Sequence, residues 1–189
     1  IAAGALRGGA KMLQLRDKDR EKGQSVLLAK ALTKICQEFD ALFIMNDHAD
    51  VAVLAASDGV HVGQGDLPVE ETRRVIGLNQ LVGRSNYTLE ESLETQLMGA
   101  DYVALGNIYS TSTKASIRDR APLGPATLAQ VKEALDVPVV AIGGIDESNI
   151  AEVASAGADA ICVSSAVGTS TDPEKAARAL VRAIVKAGG

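Results

Sequence analysis

A chain of 189 residues, 47% hydrophobic with 3% aromatics and no tryptophan, is long enough to bury roughly 70% of its unfolded surface, in a core that must be built from Ala, Val, Ile and Leu. The formal net charge is −5 with both signs interspersed, which speaks against nucleic acid as a partner. No apolar run approaches the roughly 18 residues of a membrane span and no secretory signal opens the chain, so a cytoplasmic protein without membrane partners is expected.

The elements alternate along the chain. Residues 1–9 read as a helix stopped by Gly8-Gly9. Residues 11–15 form a strand that ends in the polar cluster Gln14, Arg16 and Lys18. Residues 25–38 carry Val26, Leu27, Ala31, Leu32 and Ile35 at helical spacing, with Ser25 as the expected cap. Two short apolar runs follow, 42–45 and 60–62, separated by a helical stretch at 49–56, and a carboxylate stands just past each, Asp47 and Asp66. The helix predicted at 69–76 starts on Glu70-Glu71 and carries Arg73-Arg74 near its end, in keeping with the helix dipole. Strand 81–84, helix 89–98 and strand 101–105 come next, and the last opens into a long polar loop at 107–122 whose Ser/Thr content suits a lid. Helix 127–135, strand 138–142 with Gly143-Gly144, helix 147–156, strand 160–163 and helix 173–186 complete the chain. Cys36 and Cys162 make no disulfide framework and are expected as reduced thiols. No linker or composition shift divides the chain, so residues 1–189 are expected to form one domain.

Seven strands separated by helical crossovers mean a parallel α/β sheet. That many units without a dinucleotide fingerprint favour a (β/α)8 TIM barrel over a doubly wound open sheet. The ring is one strand short, and the first strand is expected upstream of Ile1.

In such a barrel the residues at the strand ends form the active-site face. A strand–helix–strand unit brings Asp47 and Asp66 to the same end of the sheet. With Asn46 and Gln64 beside them they offer oxygen ligands suited to Mg2+, although caps or turns are the plainer reading of each. Around the ring stand Gln14, Arg16 and Lys18; Asn46 and Asp47; Gln64 and Asp66; Ser85; the loop Tyr109-Ser110-Thr111-Ser112-Thr113-Lys114; Gly143-Gly144; and Ser164-Ser165. Three cations, two carboxylates and several hydroxyls on a Gly-rich rim describe a site for a polyphosphorylated ligand with metal. The ends of the last two strands, at Gly144 and Ser164-Ser165, are where such barrels cradle phosphate. Taken singly, Gly143-Gly144 is a turn, the Ser/Thr run a polar loop and Lys18 a solvated charge; their joint placement carries the functional reading. His48 reads as a rim side chain, and His61 as a packed histidine of the core or barrel interior.

Several segments also carry a resemblance: QLRDKD at 14–19, ND at 46–47, DGVHVGQGDLP at 58–68, GRS at 83–85, ADYVALGNIYSTSTK at 100–114, VPVVAIGGI at 137–145, and Ser164-Ser165. In order and spacing these are similar to the thiamine phosphate synthase family over essentially the whole chain. The resemblance implies a transferase that joins 4-amino-2-methyl-5-(diphosphooxymethyl)pyrimidine to hydroxyethylthiazole phosphate and releases pyrophosphate, with Mg2+ as cofactor. It implies that Gln14, Arg16, Lys18, Asn46, Ser85 and Lys114 hold the pyrimidine diphosphate, and that Asp47 and Asp66 bind the metal. It also implies that Thr111, Ser112, Thr113, Gly144, Ser164 and Ser165 hold the thiazole phosphate. The chemistry agrees: Arg16, Lys18, Lys114 and the metal neutralise the departing diphosphate, the pyrimidine amino group supports a carbocation-like intermediate, and the thiazole nitrogen attacks. No protein nucleophile is required, and no Ser/His/Asp or Cys/His set is evident in the sequence.

The chain departs from the family pattern at Tyr87, where the family has His; at Asn107, where it has Pro; and at Ser110, where it has Pro. His48 stands where Arg or Asp is common. Two other readings stay open: a thiazole tautomerase of the same barrel family, and a non-catalytic thiazole phosphate-binding module fused to an upstream domain. Retention of Arg16, Lys18, Asp47, Asp66 and Lys114 argues against the tautomerase. Assembly into a homo-oligomer is left undetermined.

Overall fold

The computed structural model describes residues 1–111 and 120–188. Seven strands pair in parallel and in chain order: β1 (Met12–Leu15), β2 (Leu42–Asn46), β3 (Gly59–Val62), β4 (Leu81–Asn86), β5 (Tyr102–Gly106), β6 (Val139–Ile142) and β7 (Ala160–Cys162). Helix α1 (Ala2–Arg7) precedes β1. The six crossovers carry α2 (Lys22–Glu38), α3 (Ala49–Leu54), α4 (Val69–Ile76), α5 (Leu89–Leu97), α6 (Gly124–Ala134) and α7 (Ile150–Ser155), and α8 (Ser165–Gly168) and α9 (Pro173–Lys186) follow β7. A doubly wound sheet reverses its strand order at a switch point. This sheet never does, so it follows the curl of a (β/α)8 barrel with seven of the eight positions filled. The eighth position lies between β7 and β1, the two strands at the edges of the sheet.

Alternation along each strand separates two faces. Phe43, Met45, Val60, Val62 and Val82 pack beneath the helices with Ala29, Cys36 and Val51. Val103, Leu105, Val139 and Ala141 do the same with Leu128, Val131 and Leu180. The intervening residues, among them Gln14, Ile44, Asn46, His61, Gly83, Ser85, Tyr102 and Ala104, therefore face the barrel interior. The pairing register sets Asn46, His61, Gly83 and Tyr102 in one row across four strands.

The opposite, N-terminal end of the sheet is held by a repeated device. Asp58, Asp101 and Asp159 each stand just before a strand or at its first turn of chain, and each carboxylate accepts the N–H of the preceding strand, from Phe43, Val82 and Val139 respectively, at 2.7 Å. Each Asp returns its own N–H to the carbonyl of that same residue, at 2.9, 2.8 and 3.0 Å. Arg73 caps Asp101, and Lys132 pairs with Asp159 at 2.6 Å. Burial pushes the Asp159 carboxyl up, but the Lys132 ammonium and the Val139 N–H outweigh it and hold the group below the usual carboxylate range. A carboxylate held low stabilises the fold at pH values above its unfolded pKa, and this stabilisation is lost as the pH falls through the lower folded value. Asp159→Ala strands the buried Val139 N–H and should cost about 1–2 kcal/mol in urea denaturation at pH 7. The gap from wild type should narrow as the pH is lowered below about 4; a gap that stays constant would assign the loss to packing instead.

Boundaries differ from expectation at several elements. Helix α2 starts at Lys22, and Ser25 is not its cap but lies buried in the first turn, with Oγ donating to the Glu21 carbonyl at 3.3 Å. Helix α6 begins at Gly124, with a proline inside its first turn whose fixed φ suits a helix start. Helix α8 is only four residues long, too short for a periodic pattern to announce it. Cys36 and Cys162 are not paired with one another in the structure.

Candidate active site

At the C-terminal end of β2 the chain reverses within two residues. Asp47 adopts φ 64°, a left-handed conformation that Asp enters more readily than most side chains. Its N–H donates to the His61 carbonyl and the His48 N–H donates to the Asn46 carbonyl, both at 2.8 Å. This turn aims the Asp47 carboxylate over the end of β3. Asp66 arrives from the loop after β3, where its Oδ2 accepts the Gly63 N–H at 2.7 Å. A Cβ on Gly63 would lie 2.9 Å from that oxygen, so the absence of a side chain there is what lets the carboxylate fold back. The two carboxylates stand close enough to perturb one another. Burial first, and then Asp66, push the Asp47 carboxyl above its usual range, while Lys18, with Nζ at 3.3 Å, pulls the other way. They open onto a cavity of about 550 Å³ whose lining includes Lys18, Lys22, His48 and Asp50. Among the described residues no third His, Cys, Asp or Glu joins the pair.

Gln14 and Arg16 lie exposed at the end of β1, on the interior side of the ring. Asn46 is buried and Ser85 half-buried at the ends of β2 and β4. Gln64 corrects one expectation. Its amide does not stand with the carboxylates: Nε2 donates to the Ser85 carbonyl at 2.9 Å, and Oε1 accepts from Arg84 at 2.6 Å. Both ends of the amide are engaged on β4.

A second cavity, of about 380 Å³, opens across the mouth between Ser110, Thr111, Gly144, Ile145 and Ser165. Gly144 sits at φ 67°, and a Cβ there would fall 2.5 Å from the Ser110 carbonyl oxygen and 2.8 Å from Tyr109. Only glycine allows the segment after β5 to pass this close. Asn149 holds the Gly144 carbonyl at 2.9 Å, and Tyr109 donates to Glu152 at 2.7 Å. Asp146, on the rim, turns its carboxylate onto the hydroxyl and N–H of Ser148, which hold it below the usual range. Ser164 is the cap residue of α8 and Ser165 its first residue, so the ends of β6 and β7 meet at this cavity.

Ser112, Thr113 and Lys114 lie outside the described residues, as does half of the 107–122 loop expected as a lid. The residues around that stretch show two anchors that sequence reasoning missed: Tyr109 on Glu152, and the Arg120 guanidinium stacked 4.2 Å over the Tyr87 ring. The side chain that departs from the family pattern at 87 thus makes a cation–π contact, with no signal in spacing to announce it. A further omission is the contact of His61 Nε2 with Ser85 Oγ at 2.8 Å, which joins two residues 24 positions apart.

A profile of the family described as thiamine monophosphate synthase matches residues 1–167. The chain is 42% identical over 183 residues to the thiamine-phosphate synthase of Shouchella clausii (strain KSM-K16), covering 97% of this chain and 87% of that one. The chain belongs to the thiamine monophosphate synthase family. The solved thiamine phosphate pyrophosphorylase from Pyrococcus furiosus superposes with a TM-score of 0.92 at 37% identity, over 100% of this chain and 89% of that chain. A 3-hexulose-6-phosphate synthase superposes with a TM-score of 0.71 at 20% identity, over 97% and 93% of the two chains; that likeness is one of fold alone. Membership makes the chain a transferase of thiamine biosynthesis. Among the described residues no helix is long and apolar enough to cross a membrane.

Proposed function

We propose that residues 1–189 act as one domain, in the cytoplasm, joining 4-amino-2-methyl-5-(diphosphooxymethyl)pyrimidine to hydroxyethylthiazole phosphate with Mg2+ held by Asp47 and Asp66. The observation that carries this reading is the carboxylate pair, facing each other with Lys18 beside them, across the barrel mouth from a glycine-gated second cavity. The donor set fits the ion. Mg2+ binds through one or two carboxylates and takes its remaining ligands from water and substrate phosphates, and two opposed carboxylates are a donor pair that repels itself until a cation arrives. When bound, Mg2+ supplies positive charge to the diphosphate.

Around it the side chains bind and orient. Arg16 and Lys18, with Lys114, neutralise charge that grows on the diphosphate as the methylene C–O bond breaks. Lys18 is paired with Asp47, and neutralisation of that carboxylate frees its ammonium for the substrate. Gln14, Asn46 and Ser85 position the pyrimidine. Thr111, Ser112, Thr113, Gly144, Ser164 and Ser165 hold the thiazole phosphate so that the thiazole nitrogen faces the cationic methylene. The electron pair of the broken bond leaves with pyrophosphate, and the new C–N bond takes its pair from the thiazole. No side chain need form a covalent bond. Incubation with both precursors should yield thiamine phosphate by mass spectrometry with Mg2+ and none with EDTA. Product in EDTA overturns the metal assignment, and no product under either condition overturns the reading.

A further inference from the structure

Among the buried titratable side chains, one lies against the proposed site without a role in it. His61 is 6% exposed and Tyr102 is 7% exposed, in the row that also holds Asn46 and Gly83. Gly83 sits between them, and a Cβ there would fall 1.9 Å from Tyr102 Cζ. The Tyr102 ring therefore fills the volume that Gly83 leaves empty, and stacks on the His61 imidazole with centroids 5.7 Å apart and planes 23° from parallel. Its hydroxyl stands 3.1 Å from His61 Nδ1, and the other ring nitrogen, Nε2, stands 2.8 Å from Ser85 Oγ. The three groups form one chain that runs from the closed interior of the barrel to its open mouth.

We infer that His61 is a positioning residue that orients the Ser85 hydroxyl as a hydrogen-bond donor to substrate, with Tyr102 choosing the imidazole tautomer. The direction follows from the buried end. Burial raises the Tyr102 phenol, which keeps its proton. A buried O–H without an acceptor is costly, and among the described residues the acceptor it meets is His61 Nδ1. With Nδ1 accepting, a neutral ring carries its proton on Nε2 and donates it to Ser85 Oγ. The Ser85 hydrogen is then turned away from the histidine, toward the mouth. A Ser–His contact of 2.8 Å otherwise suggests a nucleophile and its base. Here the base position already holds a proton, so Ser85 donates a hydrogen bond and does not attack. This rests on the proposed function, in which Ser85 contacts the pyrimidine diphosphate.

The sequence contains two histidines, so 15N-histidine labelling gives two ring systems, and His48→Gln assigns them. The His61 ring should be neutral with Nε2 protonated and Nδ1 bare, and Tyr102→Phe should shift it toward the other tautomer. Calorimetry of the pyrimidine diphosphate supplies the second readout. Ser85→Ala and His61→Leu should each weaken binding by roughly tenfold, and the double variant should bind no worse than Ser85→Ala alone. His61→Gln, whose amide N–H replaces Nε2–H, should recover most of the loss. The affinity for thiazole phosphate should stay unchanged throughout. An Nδ1–H tautomer, a charged ring, or additive losses in the double variant overturns the positioning role and leaves the proposed function standing. Wild-type protein that neither binds the pyrimidine diphosphate nor forms product overturns the functional reading, and with it the ligand assigned to Ser85.

Discussion

Asp47→Asn and Asp66→Asn should each lower Mg2+-dependent turnover by at least about a thousandfold while leaving the far-UV circular dichroism unchanged. The same substitutions should have an opposite effect on the metal-free fold. Asp47 is held above its usual range by burial and by Asp66, so in the absence of a cation its charge works against the folded state. An isosteric amide removes that charge and turns the pair from a repulsion into a hydrogen bond. Asp47→Asn should therefore melt higher than wild type in EDTA, by about 2–4 °C for each kcal/mol relieved. Added Mg2+ should raise the melting temperature of wild type through its preference for the folded state and have no such effect on either variant. Turnover preserved in both variants, or a wild type whose melting is indifferent to Mg2+, would remove the metal from these carboxylates. The proposed site thus trades stability for a cation-binding charge density, a pattern expected where like charges are held together for function.

The second large effect is expected at Gly144. Gly144→Ala places a methyl 2.5 Å from the Ser110 carbonyl oxygen in a backbone held at φ 67°. Neither side yields easily, because Gly144 is tied by Asn149 and the neighbouring Tyr109 by Glu152. The segment after β5 must move outward and open the second cavity. The KM for thiazole phosphate should rise about a hundredfold, the loss expected when phosphate contacts are misplaced by an ångström. The KM for the pyrimidine diphosphate should change little, because the cavity proposed for it is lined by a different part of the ring. Urea denaturation should show a loss of about 1–3 kcal/mol from the combined strain and overpacking. A variant with unchanged thiazole phosphate KM would place that substrate elsewhere.

The two predictions differ in how much of their basis lies in the sequence. Asp47 and Asp66 follow two strands of one strand–helix–strand unit, and such a unit is right-handed and parallel, so both side chains must emerge at the same end. Their convergence is a consequence of local pattern plus a chirality rule. The distance between them is not. It depends on the φ of Asp47 and on the way Asp66 folds back over Gly63. Gly144 is visible as half of a glycine pair at a strand end, but the Ser110 carbonyl that requires it lies 34 positions away. Gln64 shows the opposite outcome. Its proximity to Asp66 in sequence made it a natural oxygen donor, and a partner on the neighbouring strand, Arg84, drew it away.

The sequence by itself determined the alternation of strands and helices, the parallel sheet, the seven positions of an eight-fold ring, and the face on which Gln14, Arg16, Asn46, Asp47, Asp66, Ser85 and Gly144 gather. These are properties of hydrophobic period and connection handedness, both local to one repeat of strand and helix. Only the tertiary structure decided which strand residues meet across the ring. A period of two separates two faces, but the register between strands fixes which side chains become neighbours, and that register is set by hydrogen bonds between segments tens of residues apart. The row of Asn46, His61, Gly83 and Tyr102, the reach of His61 to Ser85, and the three Asp latches at the far end of the sheet all arise at that level, where packing selects one alignment among several that each strand alone would accept.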